Sequence, residues 1–248
     1  MTIFLVTLIV IYFFWCQLEK YNTVDYGNRQ LNRLLGLNQL LCRKYHKLGD
    51  YWLDLPTEGG VVIAANHQSG MDPAVLIAAS KRRVRFLATE YYYNIPFVKN
   101  ILKTAGCIPV YRSKDNRESL RKAIEALKNG EVIGIFPFGG IHLSTKEEPR
   151  LRTGVAVLSK SADVPIYPVH IGGVNEFSHD RVFTSMFFRR STLKVKQFHS
   201  IKSDLNSENF TQVLDYLYPL LSNHHDVNKS DESIQQYLSN TMNPNGQN

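Results

Sequence analysis

Cysteine is scarce in this chain of 248 residues, with only Cys16, Cys42 and Cys107. The number is odd and no two stand in a CxxC pair, which argues against a disulfide framework or a zinc site and fits a reducing compartment. The histidines show no paired-ligand spacing, so no metal centre is expected. There is no P-loop, no GxGxxG and no internal repeat. Acidic residues are outnumbered, 22 Asp and Glu against 29 Lys and Arg, for a net charge of +7. Such a surface suits an anionic partner: nucleic acid, an anionic membrane or a phosphorylated substrate. Nucleic acid is set aside, because the basic residues do not interleave with aromatics on one recognisable element. The mean hydropathy of -0.22 argues against a polytopic membrane protein.

One long apolar run stands out. Residues 2 to 18, TIFLVTLIVIYFFWCQL, carry no charge. As a helix they reach about 25 Å, close to the thickness of a hydrocarbon core. No Lys or Arg precedes the run and no small-residue cleavage site follows it, unlike a signal peptide. Tyr12 and Trp15 near its end suit a membrane interface, and Lys20, Arg29, Arg33, Arg43, Lys44 and Lys47 follow. The expectation is a membrane anchor over residues 1–20, with the rest of the chain on the cytoplasmic side by the positive-inside rule. Residues 28 to 48 then read as an amphipathic helix within a segment 21–54, with Leu31, Leu34, Leu35, Leu41 and Leu48 at helical spacing. The residues leave open whether that helix packs on the domain or lies on the membrane surface.

From residue 55 to 221 the pattern is α/β. Strands are expected at Val61–Ala65, Val84–Ala88, Cys107–Tyr111, Val132–Phe136, Ile166–His170 and Leu193–Phe198. Helices are expected at Pro73–Ser80, Pro96–Thr104, Asn116–Lys128, Thr153–Ser161 and Glu208–Leu221. The polar stretch 222–248 cannot bury much and reads as a tail.

The most informative segment is VVIAANHQSGMDPAVL, residues 61 to 76. A strand runs into a polar turn, and a helix starts at Pro73. His67 and Asp72 stand five apart. If the loop curls back, the carboxylate accepts a bond from one imidazole nitrogen and leaves the other as a base. Asp72 is also well placed as a helix N-cap, and Ser69 and Gly70 suit an ordinary turn.

NHQSGMD resembles the NHxxxxD signature of the glycerolipid acyltransferases, which include the lysophosphatidate acyltransferases. Three further blocks follow in the family's order: GCIPVYR at 106–112, FPFGG at 136–140 and VPIYPV at 164–169. The resemblance covers roughly residues 55–175. It implies a mixed, mostly parallel sheet covered by helices, with His67 as general base and Asp72 holding it. It implies that Arg112 anchors the acceptor's phosphate, which a guanidinium fork suits, and that Asn66, Ser69, Phe138 and Gly139 line the substrate site. No cofactor is implied: acyl-CoA or an acyl carrier protein thioester is a co-substrate, the acceptor is lysophosphatidate or a related lysophospholipid, and membrane phospholipids surround the enzyme. Ser69 as a nucleophile is the weaker alternative.

Two segments depart from the family's pattern. Phe138 stands where the family usually has a Glu, and Gly140 replaces a Thr; His142 follows where a Ser or Arg often stands. A phenyl ring accepts no hydrogen bond, so Phe138 is expected to close a lipid-facing wall, and it opens the alternative of a non-catalytic lipid-binding relative. Thr89 stands where many members have a Lys, although Glu90 is kept. Lys81, Arg82, Arg83 and Arg85 nearby read as a solvated, membrane-facing patch. A transacylase that needs no thioester is a further alternative.

Overall fold

The computed structural model describes residues 2–111, 116–141, 150–174, 186–201 and 210–222. Six strands form one sheet: β1 (Val61–Ala65), β2 (Val84–Thr89), β3 (Ile108–Val110), β4 (Val132–Ile135), β5 (Ile166–Gly172) and β6 (Lys194–Gln197). Their spatial order is β3-β2-β4-β1-β5-β6. The first five are mutually parallel, with Val62 beside Ile133 and Ile166, and β6 closes one edge antiparallel to β5. This is the mixed, mostly parallel sheet expected from the alternation of strands and helices. The tail over 222–248 lies outside the described residues beyond Ser222, as do the first residues of the helix expected from Glu208.

Strand β1 is buried on both faces, as a central parallel strand must be. Val61, Ile63 and Ala65 enter one core cluster and Val62 and Ala64 the other. The first cluster is covered by α3 (Asp72–Ala79) and by Cys42, Leu48 and Leu53. The second is covered by α6 (Arg117–Lys128), α7 (Gly154–Ala162) and α8 (Thr211–Leu221). Short α4 (Glu90–Tyr93), which the sequence pattern did not reveal, and α5 (Pro96–Ala105) connect β2 to β3.

The N-terminal run forms α1 (Thr2–Gln17) and continues into a 3-10 turn, Leu18–Tyr21. Phe4–Tyr21 is 6% buried, and is long and apolar enough to cross a membrane by length and composition. Helix α2 (Arg29–Leu40) ends in a π-helical turn, Leu41–Tyr45. The packed reading of this segment holds: Leu31 and Leu35 are buried with Tyr26 and Ala105, and Asn38 Nδ2 donates to Ala74 O at 2.9 Å. Gly36 faces the 3-10 turn so closely that any side chain there would overlap the Leu18 carbonyl. Arg43, expected on a basic face, instead donates to the carbonyls of Gly49, Tyr51 and Ala78 and stacks on Trp52.

The arginines after α3 are also bonded within the fold, while Lys81 is exposed. Arg82 donates to Pro56 O, Gly59 O and Gly130 O. Arg83 donates to Thr104 O, and Arg85 to Gly106 O and to both carboxylate oxygens of Glu131. These partners lie before β1, β3 and β4, at the sheet's N-terminal edge. Of the solvated patch expected there, Arg82, Arg83 and Arg85 are half-buried staples on loop carbonyls.

Candidate active site

The connection from β1 through α3 to β2 moves along the sheet in one direction, and that from β4 through α7 to β5 moves in the other. Helices α3 and α7 accordingly cover opposite faces. Between the C-terminal ends of β1 and β4 the topology therefore has its switch point, the place where open parallel sheets form a crevice and bind ligands. His67 lies just past β1 and Phe136 just past β4. Their rings stack at 4.1 Å with 18° between planes, and Phe86 of β2 stacks beyond Phe136 at 5.9 Å.

The loop that holds His67 is organised by one oxygen. Asp72 Oδ2 accepts from His67 Nδ1, Gln68 N and Ser69 N, each at 2.8 Å. A carboxylate receiving backbone N–H donors acts as an acceptor, so the imidazole proton sits on Nδ1 and Nε2 keeps its lone pair. The His67 side chain is 11% exposed and that of Asp72 is 1% exposed. The other carboxylate oxygen, Oδ1, is buried with no hydrogen-bond partner among the described residues. Asp72 is not the N-cap of α3. It is the first helical residue, Met71 is the cap, and the carboxylate turns back into the loop. Its charge still lies at the helix N-terminus, where the backbone dipole favours an anion.

The remaining sequence candidates separate. Asn66 is fully buried: its Nδ2 donates to Ile171 O at 2.9 Å and its Oδ1 accepts from Ile171 N at 2.7 Å. Both ends of the amide are thus spent on β5, and the expected substrate contact is replaced by a link that extends the β1–β5 pairing by one step. Ser69 is 1% exposed and its Oγ accepts from Met71 N, which makes it a turn residue. Phe138 is 6% exposed in the second core cluster, edge-on to Tyr218. The lipid-facing wall expected of Phe138 is thus a core contact under α8, on the opposite side of the sheet from Phe136. Arg112 and His142 lie outside the described residues.

Gly139 belongs to the turn after β4. It has φ +80, and its N–H donates to Phe136 O at 3.0 Å. A side chain there would collide with the guanidinium of Arg152, which lies over the turn. Phe136 and Arg152 were both missed in the sequence. The signal for Phe136 was its place at the head of FPFGG, and for Arg152 a basic residue two positions before α7. Among the described residues no group of three or more His, Cys, Asp or Glu side chains could hold a metal ion.

Residues 53–172 match the family model described as acyltransferase. The chain is 27% identical over 121 residues to a 1-acyl-sn-glycerol-3-phosphate acyltransferase of Bacillus subtilis, covering 48% of this chain and 59% of that protein. It is 36% identical over 93 residues to the enzyme of the same name from Borreliella burgdorferi, covering 35% of each. The matched stretches thus span less than two thirds of these relatives. The crystal structure of the 1-acyl-sn-glycerophosphate acyltransferase PlsC from Thermotoga maritima superposes with a TM-score of 0.55 at 19% identity, over 86% of this chain and 82% of that one, which shows a shared fold. Residues 53–172, a little under half of the chain, are thus similar to the acyltransferase family, in the stretch where the motifs follow in order.

Proposed function

We propose that the protein transfers a fatty acyl chain from a thioester, acyl-CoA or acyl carrier protein, to a hydroxyl of lysophosphatidate or a related lysophospholipid in phospholipid biosynthesis. The observation that carries this reading is the His67–Asp72 bond at the crevice between β1 and β4. His67 Nε2 takes the proton of the acceptor hydroxyl as its oxygen attacks the thioester carbonyl. Asp72 fixes the tautomer and stabilises the imidazolium. The tetrahedral intermediate expels the thiolate, which recovers the proton from His67. No covalent acyl-enzyme is needed, in keeping with the buried Ser69. Arg112 is assigned to the acceptor's phosphate. Helix α1 keeps the protein where amphiphilic acceptor and product reside, with the catalytic domain on the cytoplasmic side.

The test is a matrix of donors and acceptors with detergent-solubilised protein. Acyl-CoA, an acyl carrier protein thioester and no thioester are each combined with lysophosphatidate and a lysophospholipid panel. Transfer that requires a thioester supports the proposal. Transfer without one points to the transacylase, and silence across the panel to a lipid-binding relative.

A further inference from the structure

Three features of this chain meet at one edge of the sheet. Because β1 to β5 are parallel, their C-terminal ends share that edge, and His67 stands there after the fourth strand in the order. Two strands to one side, β2 runs directly into α4, with Tyr91 (64% exposed), and then into α5, with Ile95 as its cap and Phe97 (65% exposed) in its first turn. Two strands to the other side, β6 begins beside the end of β5, with Lys194 opposite Gly172. The chain just before it carries Phe187 and Phe188, the latter 80% exposed, followed by exposed Arg189 and Arg190. At about 4.8 Å per strand, two aromatic outcrops stand about 10 Å to either side of the catalytic loop.

We infer that this edge is the face laid on an anionic bilayer, with Tyr91, Phe97, Phe187 and Phe188 seated among the headgroups. The inference rests on the proposed reading of the substrate as a membrane amphiphile. Large rings left in water on both sides of a site are costly unless something covers them. A peptide or helix partner would call for one continuous groove; here the rings rise from two separate elements with the catalytic loop between them. A bilayer meets both outcrops at once. The flanking charges agree: Lys99 is exposed on α5, where cations meet lipid phosphates, and exposed Arg190 beside the second outcrop donates through Nε to Tyr45 O. At the opposite edge Arg82, Arg83 and Arg85 are spent on backbone carbonyls. This contact is distinct from the anchor. Helix α1 tethers the chain, whereas the aromatic edge turns the crevice toward the lipid, so that the acceptor's acyl chain need not enter water.

The test uses the full chain with an environment-sensitive fluorescent amino acid at position 97, 188 or 58. Glu58 is exposed just before β1, at the far edge. Vesicles of phosphatidylcholine and phosphatidylglycerol are added, with and without doxyl-labelled lipid. Positions 97 and 188 are expected to shift to the blue and be quenched, and position 58 to do neither. Behaviour at 97 and 188 like that at 58 would overturn the inference, as would a shift caused by an acidic acyl carrier protein but not by vesicles. No turnover is needed, so the result stands apart from the success of the acyltransferase reading. As a second measurement, Phe97→Ser combined with Phe188→Ser is expected to slow transfer to vesicle-borne acceptor by about tenfold or more. Transfer to detergent-dispersed acceptor is expected to stay within about twofold. An equal loss in both formats would overturn the proposal.

Discussion

Asn66 closes both backbone groups of Ile171 with a single side-chain amide, accepting from its N–H and donating to its carbonyl. The pair carries the β1–β5 ladder one step past the last strand residue and fixes where the chain turns toward His67. Replacing Asn66 by Ala strands two buried backbone groups and is expected to cost about 2–4 kcal/mol of stability. Urea unfolding in detergent reads this. A rise in KM at unchanged stability would instead mark Asn66 as a substrate contact.

Phe138 invites the opposite experiment, introducing the acidic residue usual in the acyltransferases that this stretch resembles. Phe138→Glu places a carboxylate in the apolar cluster beneath Tyr218. The expected result is a loss of several kcal/mol or a protein that does not fold. Phe138→Leu keeps the contact apolar and is expected to cost about 1–2 kcal/mol while retaining activity. Thermal melts paired with acyl-transfer rates check both. If Phe138→Glu raised activity at an unchanged melting temperature, this side chain would have to reach the crevice.

His46 makes stability depend on pH. It is fully buried, its Nε2 lies 2.9 Å from Met186 O, and its Nδ1 accepts from Ser191 N at 3.1 Å. The neutral ring with its proton on Nε2 satisfies both, and burial pushes the folded-state pKa below the usual histidine value. As pH falls through about 6.5 the unfolded chain takes up a proton that the folded chain refuses. Stability from this group is therefore present at neutral pH, and is lost from about pH 6.5 down to the depressed folded pKa. Melts of wild type and His46→Gln between about pH 8 and pH 5 check it, and the variant is expected to show the shallower decline. Identical slopes would place the acid sensitivity elsewhere.

Gly36 and Leu18 set how closely the 3-10 turn packs on α2. Gly36→Val drives a side chain into the Leu18 carbonyl. The 3-10 turn is expected to separate from α2 and expose residues 18–28 to protease, a loss of a few kcal/mol in local packing. Limited proteolysis reads it, and an unchanged cleavage pattern would contradict the close approach.

Much of this was legible in the sequence because parallel strands are buried on both faces and read as short apolar runs. Val61–Ala65, Val132–Ile135 and the helices between them announce themselves in that way. His67 and Asp72 were legible because a Pro-initiated helix after a polar turn forces the chain back on itself. What stayed hidden was the use of polar side chains. Asn66 and Ser69 resembled site residues, yet their bonds go to backbone groups, which local pattern does not specify. Arg43, Arg82, Arg83 and Arg85 looked like a charged surface, because only the fold shows which loop carbonyls lack partners. Phe136 and Phe138 differ by two positions and by the face of the sheet, since the chain leaves strand geometry before Phe138, in a turn closed by Gly139 N–H on Phe136 O.

The central claim is that His67, held by Asp72, is the base for acyl transfer. The most direct measurement is the single-turnover rate of transfer from acyl thioester to lysophosphatidate by wild type and His67→Ala, with melting temperatures recorded alongside. The expected result is a rate about 10²–10⁴-fold lower in the variant, at a melting temperature that shows an intact fold. Transfer by a folded His67→Ala at the wild-type rate would contradict the assignment.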